Sequence, residues 1–279
     1  MTTICASCTS FSLDSPTLSS SKRKPQWLHE HDFVAEFIQN TTQFKPRKPT
    51  RCDQKVDLDF GKKGAHRTIL YWAADSSDKL VVQDAKKAYN QFKNHGIAKL
   101  DENGCGTLFL RCPQIYKTTK KGEKRPESFY RHFHIVMADK TLTEWLPQIY
   151  TQILVCKRDM DYVWDALDDC TAVVLNALPC EYYGKDHIPG SYHLTAEMVK
   201  KWTAKQLGDW MLELCEMHYP KLYKLVKSGK MEVNEIPVIG YCAHEKCNAS
   251  ALMEKELLKK GMVRVDSFPG GMKAYRQKA

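Results

Sequence analysis

The chain has 279 residues, of which 43% are hydrophobic and 27% are charged, and its 42 Lys and Arg against 33 Asp and Glu give a formal net charge of +9. This composition is ordinary for globular proteins and excludes a wholly disordered or fibrous chain, and the length corresponds to about two domains. No apolar run of about 18 residues occurs, so no membrane-spanning segment is predicted.

The positive charge is confined to the first part of the chain. Residues 1–160 hold 26 Lys and Arg against 17 Asp and Glu, whereas residues 161–279 hold 16 of each. This asymmetry indicates two units with different partners and makes residues 1–160 a candidate surface for a polyanionic partner, either RNA or an acidic protein. A solvated surface with a basic tail is the alternative.

The N-terminus has no basic segment followed by an apolar one, so a secretory signal peptide is not predicted. We expect a cytoplasmic location, with the nucleus as the alternative. The 11 cysteines are an odd number without the spacing of a disulfide framework, which predicts that most of them are free thiols.

The first 67 residues are predicted to hold little regular structure. Residues 1–25 are rich in Ser and Thr, end in a basic run and lack an apolar period, which predicts a disordered tail. Residues 26–67 are predicted to be a partly helical linker, because apolar residues recur at helical spacing in 32–39 and a polar segment with prolines follows.

Residues 68–158 are predicted to form a small α/β or α+β domain, and the sequence does not indicate its role. Apolar runs and β-prone residues predict strands, and apolar residues on one face predict helices. The predicted elements are a strand at 68–74, a helix at 82–95, strands at 106–112 and 129–136, and a helix at 142–156.

Two histidines in this domain, His132 and His134, lie on the same face of a predicted strand, where two imidazoles can bind one metal ion. The alternation of a half-buried strand is the favoured explanation, and we predict neither a metal site nor a cofactor. The basic loop 117–125 is predicted to be a solvated hairpin tip, because it has no aromatic residue for base stacking.

The C-terminal part shows the order of elements that is typical of a parallel α/β sheet. Strands are predicted at 170–177, 237–242 and 262–268, with a helix at 249–261 and a short helix at the C-terminus. Ligands of such sheets bind at the carboxyl ends of the strands. Cys242 lies at such an end, before a loop that leads into a helix N-terminus, and we therefore expect a lowered thiol pKa and a nucleophilic Cys242.

Residues 159–279 resemble a rhodanese domain. The motifs are His187-Ile-Pro-Gly-Ser191, Tyr241-Cys242, Ser250 and Gly270-Gly271, in the family's order. The resemblance implies a parallel sheet flanked by helices and a sulfurtransferase that carries sulfane sulfur as a persulfide on Cys242, with thiosulfate or a protein persulfide as donor. It also implies that the persulfide and the anionic donor are bound by the loop residues Ala243, His244, Glu245, Lys246, Cys247 and Asn248.

Two departures from the family pattern support an alternative. Asn176-Ala177-Leu178 stands where the family has Asp-x-Arg, and Cys247 stands where its loop commonly has Arg. The alternative is a catalytically weak or inactive rhodanese-like module for protein interaction or anion sensing. A phosphatase of the same fold is disfavoured, because no Arg lies between Cys242 and Arg264 to grip phosphate oxygens.

Cys247 is also a candidate resolving thiol, which would form a disulfide with an oxidised or persulfurated Cys242. The alternative is a buried small residue at the start of the helix.

Overall fold

The computed structural model describes residues 19–21, 32–119 and 125–278. Most of the predicted tail, residues 26–31 and the tip of the predicted 117–125 hairpin lie outside the described residues. The described chain divides into two compact units, of which the first ends at Leu154 and the second begins at Val155. Within the described ranges, no helix is both long enough and apolar enough to cross a membrane.

The first unit combines strands with two short α-helices. Its helices are α1 (Asp32–Asn40) and α2 (Ala85–Tyr89), with 3-10 turns at Gly61–Gly64 and Asn90–Phe92. Its strands are β1 (Ser19–Ser21), β2 (Gln54–Asp59), β3 (Thr68–Ala73), β4 (Gln83–Asp84), β5 (His95–Lys99), β6 (Cys105–Leu110), β7 (Tyr116–Thr119), β8 (Pro126–Ser128), β9 (His132–Met137) and β10 (Ile149–Ile153).

The main sheet of the first unit is antiparallel throughout, with the strand order β1-β10-β9-β3-β5. Strand β3 is buried along its whole length, because its alternate side chains enter two different cores. Leu70 and Trp72 pack with α1 and α2, while Ile69 and Tyr71 pack with residues of β2 and β6. The antiparallel pairing makes this unit α+β rather than α/β.

Two helices predicted in the first unit require correction. The segment 142–156 contains strand β10 instead of a helix, paired antiparallel with β9. Pro147 disfavours a helix there, and β-branched residues at 149, 151 and 153 suit a strand. The helix predicted at 82–95 is reduced to α2, because Asn90 adopts the left-handed conformation at φ +43° and the chain then enters β5.

The predicted linker at 26–67 is also wrong in part. Helix α1 is present as predicted, but β2 pairs antiparallel with β6 along its full length and belongs to the first unit. Gln54, Val56 and Leu58 are buried and the residues between them are exposed. This period of two was hidden by the charged residues and prolines around it.

The second unit alternates strands and helices. Its strands are β11 (Cys156–Lys157), β12 (Val173–Asn176), β13 (Tyr192–His193), β14 (Val238–Tyr241) and β15 (Val265–Phe268). Its helices are α3 (Met160–Asp168), α4 (Cys180–Tyr183), α5 (Ala196–Lys201), α6 (Ala204–His218), α7 (Pro220–Lys227), α8 (Ala249–Lys259) and α9 (Gly271–Lys278), with a 3-10 turn at Val233–Glu235.

The sheet of the second unit has five parallel strands in the order β11-β15-β14-β12-β13, flanked by helices, as the sequence predicted. Strands β12 and β14 are completely buried, which explains their nearly continuous apolar sequences. Strand β14 ends at Tyr241, and residues 242–248 connect it to α8. The loop therefore lies at the carboxyl edge of the sheet, where parallel α/β folds bind ligands.

Candidate active site

Cys242 directly follows β14 and is enclosed by the loop, with a residual exposure of only 2%. Its Sγ accepts a hydrogen bond from Ser250 Oγ at 3.4 Å. Its S–H donates to the carbonyl oxygen of Cys247 at 3.3 Å. These contacts hold the side chain as a protonated thiol.

A second thiol, Cys247, lies in the same loop and is half-buried. It accepts hydrogen bonds from the backbone N–H groups of Ala249 and Ala243, and it shares the single S–H proton of Cys242 with its own carbonyl oxygen. The N–H of Cys247 itself donates to the carbonyl oxygen of His244 at 2.8 Å, which closes the turn. The structure therefore brings the two predicted thiols into one hydrogen-bonded pair.

The N-terminus of helix α8 is shared between these two sulfur atoms. The first N–H groups of a helix lack intrahelical acceptors. Here the N–H of Ala249 donates to Cys247 and the N–H of Ser250 to Cys242, while the side chain of Asn248 at the N-cap position makes no capping hydrogen bond. The thiols thus cap the helix, and its dipole favours negative charge on them.

The pKa values of the two thiols are shifted in opposite directions. Burial raises the pKa of Cys242, and the hydroxyl and N–H of Ser250 offset this only in part. Burial also acts to raise the pKa of Cys247, but its three hydrogen-bond donors outweigh this effect and lower it. The lowered pKa predicted for Cys242 was therefore wrong, because the amides are divided between two sulfurs and Cys242 is the weaker acid of the pair.

Helix α9 fixes the orientation of the loop backbone. The N–H groups of Met272 and Lys273 donate to the carbonyl oxygens of Cys242 and Ala243, each at 2.9 Å. Since the C=O and N–H of one peptide group point in opposite directions, the first contact directs the N–H of Ala243 towards the inside of the loop.

Gly271 makes this contact between α9 and the loop feasible. Its φ is +52°, and a Cβ atom there would lie 2.2 Å from the carbonyl oxygen of Cys242. The sequence signal was the Gly270-Gly271 pair, but the pattern alone did not reveal that one of these glycines orients the loop.

The His187–Ser191 motif anchors the residue that precedes Cys242. The hydroxyl of Tyr241 accepts the N–H of Ile188 at 3.0 Å and lies 2.7 Å from Ser191 Oγ. His187 stacks on the ring of Tyr183, with 4.2 Å between the ring centroids. The motif thereby fixes the end of β14.

Asn176 lies next to Tyr241 in the sheet register and is completely buried. Its Oδ1 accepts the N–H of Leu178 at 2.8 Å, and this turn needs no charged side chain.

The remaining residues of the predicted binding loop differ in burial. Ala243 is half-buried, and its N–H donates to Cys247. The side chains of the rest are exposed, namely His244, Glu245, Lys246 and Asn248.

The histidine pair of the first unit is buried in a hydrogen-bonded chain. His134 contacts Thr151 Oγ1 at 2.8 Å and Tyr89 Oη at 3.1 Å, and Tyr89 Oη lies 3.2 Å from Tyr116 Oη. His132 contacts Tyr116 Oη at 2.9 Å, and its Nδ1 donates to the carbonyl oxygen of Tyr130. When each hydroxyl and each imidazole donates one proton in the direction of Tyr130, all of these contacts are hydrogen bonds and both imidazoles are neutral. Both ring nitrogens of each histidine therefore contact protein groups.

The model of the Rhodanese-like domain family matches residues 159–278. Residues 159–278 are a rhodanese-like domain. The match leaves the first unit uncovered, and no curated protein matches the chain.

Several solved structures are similar to this chain. The human single-domain sulfurtransferase TSTD1 is 12% identical over 45% of this chain and 99% of its own, with a TM-score of 0.31. The Saccharomyces cerevisiae single-domain sulfurtransferase RDL2 is 12% identical over 45% and 92%, with a TM-score of 0.30. A Bacillus halodurans protein is 17% identical over 44% and 72%, also with a TM-score of 0.30. Because these scores are low, the assignment of the rhodanese-like domain rests on the family match.

Proposed function

We propose that the rhodanese-like domain is a sulfurtransferase that carries sulfane sulfur as a persulfide on Cys242. The observation that carries this proposal is the position of Cys242 after a parallel strand, beside a helix N-terminus and a second thiol of lowered pKa. The helix dipole and the hydroxyl of Ser250 favour an anionic sulfur at this position.

The hydrogen-bonded thiol pair supplies the base for the first step. Cys242 transfers its proton to the Cys247 thiolate along the hydrogen bond between them, and the resulting Cys242 thiolate attacks the sulfane sulfur of thiosulfate. The S–S bond of thiosulfate breaks, sulfite leaves with the bonding electron pair, and a persulfide remains on Cys242. A nucleophilic acceptor such as cyanide or another thiolate then takes the outer sulfur and regenerates the Cys242 thiolate.

This proposal is tested by incubating the full chain with thiosulfate and cyanide and measuring thiocyanate. Cys242→Ser should reduce the rate to background, whereas Cys247→Ser should lower it about a hundredfold at neutral pH because the base is lost. Cys180→Ser is the matched control, since Cys180 is an exposed free thiol of the same unit, and it should leave the rate unchanged. Full activity in Cys242→Ser would remove the proposal.

A cysteine persulfide serves as a second donor in the same assay, because the natural donor can be a protein persulfide. If neither donor loads Cys242 while an alkylating reagent modifies it, the rhodanese-like domain is an inactive interaction or anion-sensing module. The raised pKa and the burial of Cys242 are the observations on the side of that alternative.

Cys247 has a second proposed role as a resolving thiol. The proton that Cys247 took up in the first step passes to the outer sulfur of the persulfide, and the Cys247 thiolate attacks the sulfur that is bonded to Cβ of Cys242. A disulfide between Cys242 and Cys247 forms, and the outer sulfur leaves as hydrosulfide with the electron pair of the broken S–S bond. Thiosulfate treatment without an acceptor should then release hydrosulfide and leave peptides linked through these two cysteines. Cys247→Ser should instead retain the persulfide, and a persistent persulfide in the unmodified chain would contradict this role.

Seven of the described cysteines are free thiols, at positions 52, 105, 170, 180, 215, 242 and 247. Thiols persist in reducing compartments. Cys112 and Cys156, however, are disulfide-bonded, so the cytoplasmic location stays a prediction from the sequence.

A further inference from the structure

The first unit has a pocket that the sulfurtransferase proposal does not use. Its volume is about 970 Å³, and its walls come from α1, the segment 40–47, and the residues from Lys79 to His95. This volume is at the upper end of the range of about 300 to 1,000 Å³ that is typical of small-molecule sites.

One wall of the pocket is aromatic. Phe33 and Phe37 of α1 are half-buried, and Phe37 stacks on Phe92 with 4.0 Å between ring centroids and 7° between ring planes. Phe33 lies at 5.7 Å from Phe92. Half-buried phenyl rings at a pocket wall are suitable surfaces for a planar heterocycle.

The rest of the lining is basic and rich in amides. The lining cations are Arg47, Lys79, Lys86 and Lys87, of which Lys87 pairs with Asp84 at 2.9 Å, and Glu36 is the acidic lining residue. Carboxamide side chains also line the pocket, at Asn40, Gln43, Gln83, Asn90 and Gln91. The cations favour an anion, and the amides supply donors and acceptors for the edge of a base.

Arg47 is held in place at this pocket. Its N–H and C=O both bond Ile97 of β5, at 2.9 and 2.8 Å, which fixes its backbone to the edge of the sheet. Its Nη2 lies 2.9 Å from His95 Nε2, and His95 Nδ1 contacts the carbonyl oxygen of Phe92. Because a guanidinium can only donate and a carbonyl can only accept, His95 is a neutral tautomer that orients Arg47.

The pocket also has strained backbone. Asn90, Gln91 and Phe92 have consecutive positive φ values of +43°, +56° and +57°. Non-glycine residues adopt this region only under strain, and such residues cluster at functional sites. Asn90 is held by a hydrogen bond from its Nδ2 to Asp75 Oδ2 at 2.7 Å.

We propose that this pocket binds a nucleotide, with the base against Phe37 and the phosphates on Arg47, Lys86 and Lys87. The combination of aromatic wall, amides and an oriented arginine distinguishes it from a surface that attracts anions in general. The nucleotide is either free or one residue of a single-stranded RNA, since both present a base and a phosphate. This site gives the basic charge of the first unit a specific ligand.

The test measures the affinity of the full chain for ATP, inorganic tripolyphosphate and a short single-stranded oligoadenylate by calorimetry. ATP should bind about tenfold more tightly than tripolyphosphate, because only ATP has a base to stack. Tighter binding of the oligoadenylate than of ATP assigns the site to RNA, and the reverse assigns it to a free nucleotide.

Variants locate the binding. Arg47→Gln and the double charge reversal Lys86→Glu with Lys87→Glu should each weaken ATP binding about tenfold or more. The matched control reverses the charges of Lys62 and Lys63 (Lys62→Glu with Lys63→Glu), an exposed lysine pair of the same unit outside the pocket. This control should change the affinity for ATP less than about twofold. Lys86 and Lys87 are exposed, so their reversal tests the site even if Arg47→Gln fails to fold.

The proposal is overturned by three outcomes. These are no binding of either nucleotide probe, equal binding of ATP and tripolyphosphate, or equal weakening by the pocket reversal and by the control reversal.

Discussion

The two units both bury titratable side chains in neutral form, but they bury opposite kinds. In the first unit, burial lowers the pKa of His132 to about 4 and that of His134 well below its usual value. In the second unit, burial raises the pKa of Glu254 on α8 to about 8. A neutral histidine is favoured by high pH and a neutral carboxyl by low pH, so the units should lose stability in opposite directions of pH.

The same contrast explains which unit offers a reactive group. His132 and His134 lie within β9, which is flanked by β10 and β3, so their ring nitrogens are engaged by neighbouring side chains and backbone. Cys242 lies beyond the end of a parallel strand, where the chain turns into α8 and N–H groups without intrahelical acceptors donate to sulfur. The position of a side chain along its strand, more than its residue type, decides whether it is part of the core or of a site.

The largest expected effect is on the pH dependence of the second unit. Folded Glu254 keeps its proton up to a pH of about 8, whereas the unfolded carboxyl releases it near its ordinary pKa of 4.5. The folded state therefore binds more protons between these values, and its free energy of unfolding should fall by up to about 5 kcal/mol as the pH rises through this window. Glu254→Gln should flatten the dependence, measured by hydrogen exchange in β14 at each pH.

The exposed Glu181 supplies the control, because Glu181→Gln in the same unit should leave the slope unchanged. An equal slope in the Glu254→Gln and unmodified chains would contradict a buried neutral carboxyl at this position.

The opposite slope is expected in the first unit. The folded pKa of His132 lies below the unfolded value of 6.5, so the folded state binds fewer protons between about pH 4 and 6.5. Stability should fall by up to about 3 kcal/mol as the pH drops through this window. His132→Gln should reduce that fall, read from hydrogen exchange in β9, and exposed His66→Gln should not. If the two variants lose the same amount of stability over this pH window, His132 is not the group that causes the loss.

A smaller effect is expected from alanine substitutions at two glycines of the second unit, one at the candidate active site and one away from it. Gly271 and Gly229 both have positive φ, at +52° and +70°, but only Gly271 has backbone within contact distance of an added Cβ. Alanine at Gly229 should cost about 1 to 2 kcal/mol of stability, and alanine at Gly271 should cost more, because its Cβ would clash with the carbonyl oxygen of Cys242. Only Gly271→Ala should also lower sulfur transfer, by about tenfold or more, because the Cys242 carbonyl must move. Equal activity of the two variants would show that α9 does not orient the loop.

The sequence was sufficient to predict the parallel sheet and the position of Cys242. Strands β12 and β14 are continuous apolar runs, and such runs identify buried parallel strands without knowledge of their neighbours. In the first unit, β2 and β10 were missed because short strands with exposed charged or polar residues become recognisable only once their partners β6 and β9 are known.

The division of amides between Cys242 and Cys247 was not predictable. It depends on the direction of individual peptide groups, which α9 fixes through contacts between residues far apart in the sequence. The spacing of two cysteines in a loop gives their separation along the chain, but it does not indicate which of them has the lower pKa.

The most direct test of the central claim is mass spectrometry of the chain after incubation with thiosulfate or a cysteine persulfide. The account predicts that the Cys247→Ser variant, given an incubation about a hundredfold longer to offset the lost base, gains the mass of one sulfur atom on the peptide that contains Cys242, and that Cys242→Ser gains none. Addition of sulfur to Cys242→Ser at the level of the unmodified chain, or its absence from Cys242 in Cys247→Ser, would contradict the account.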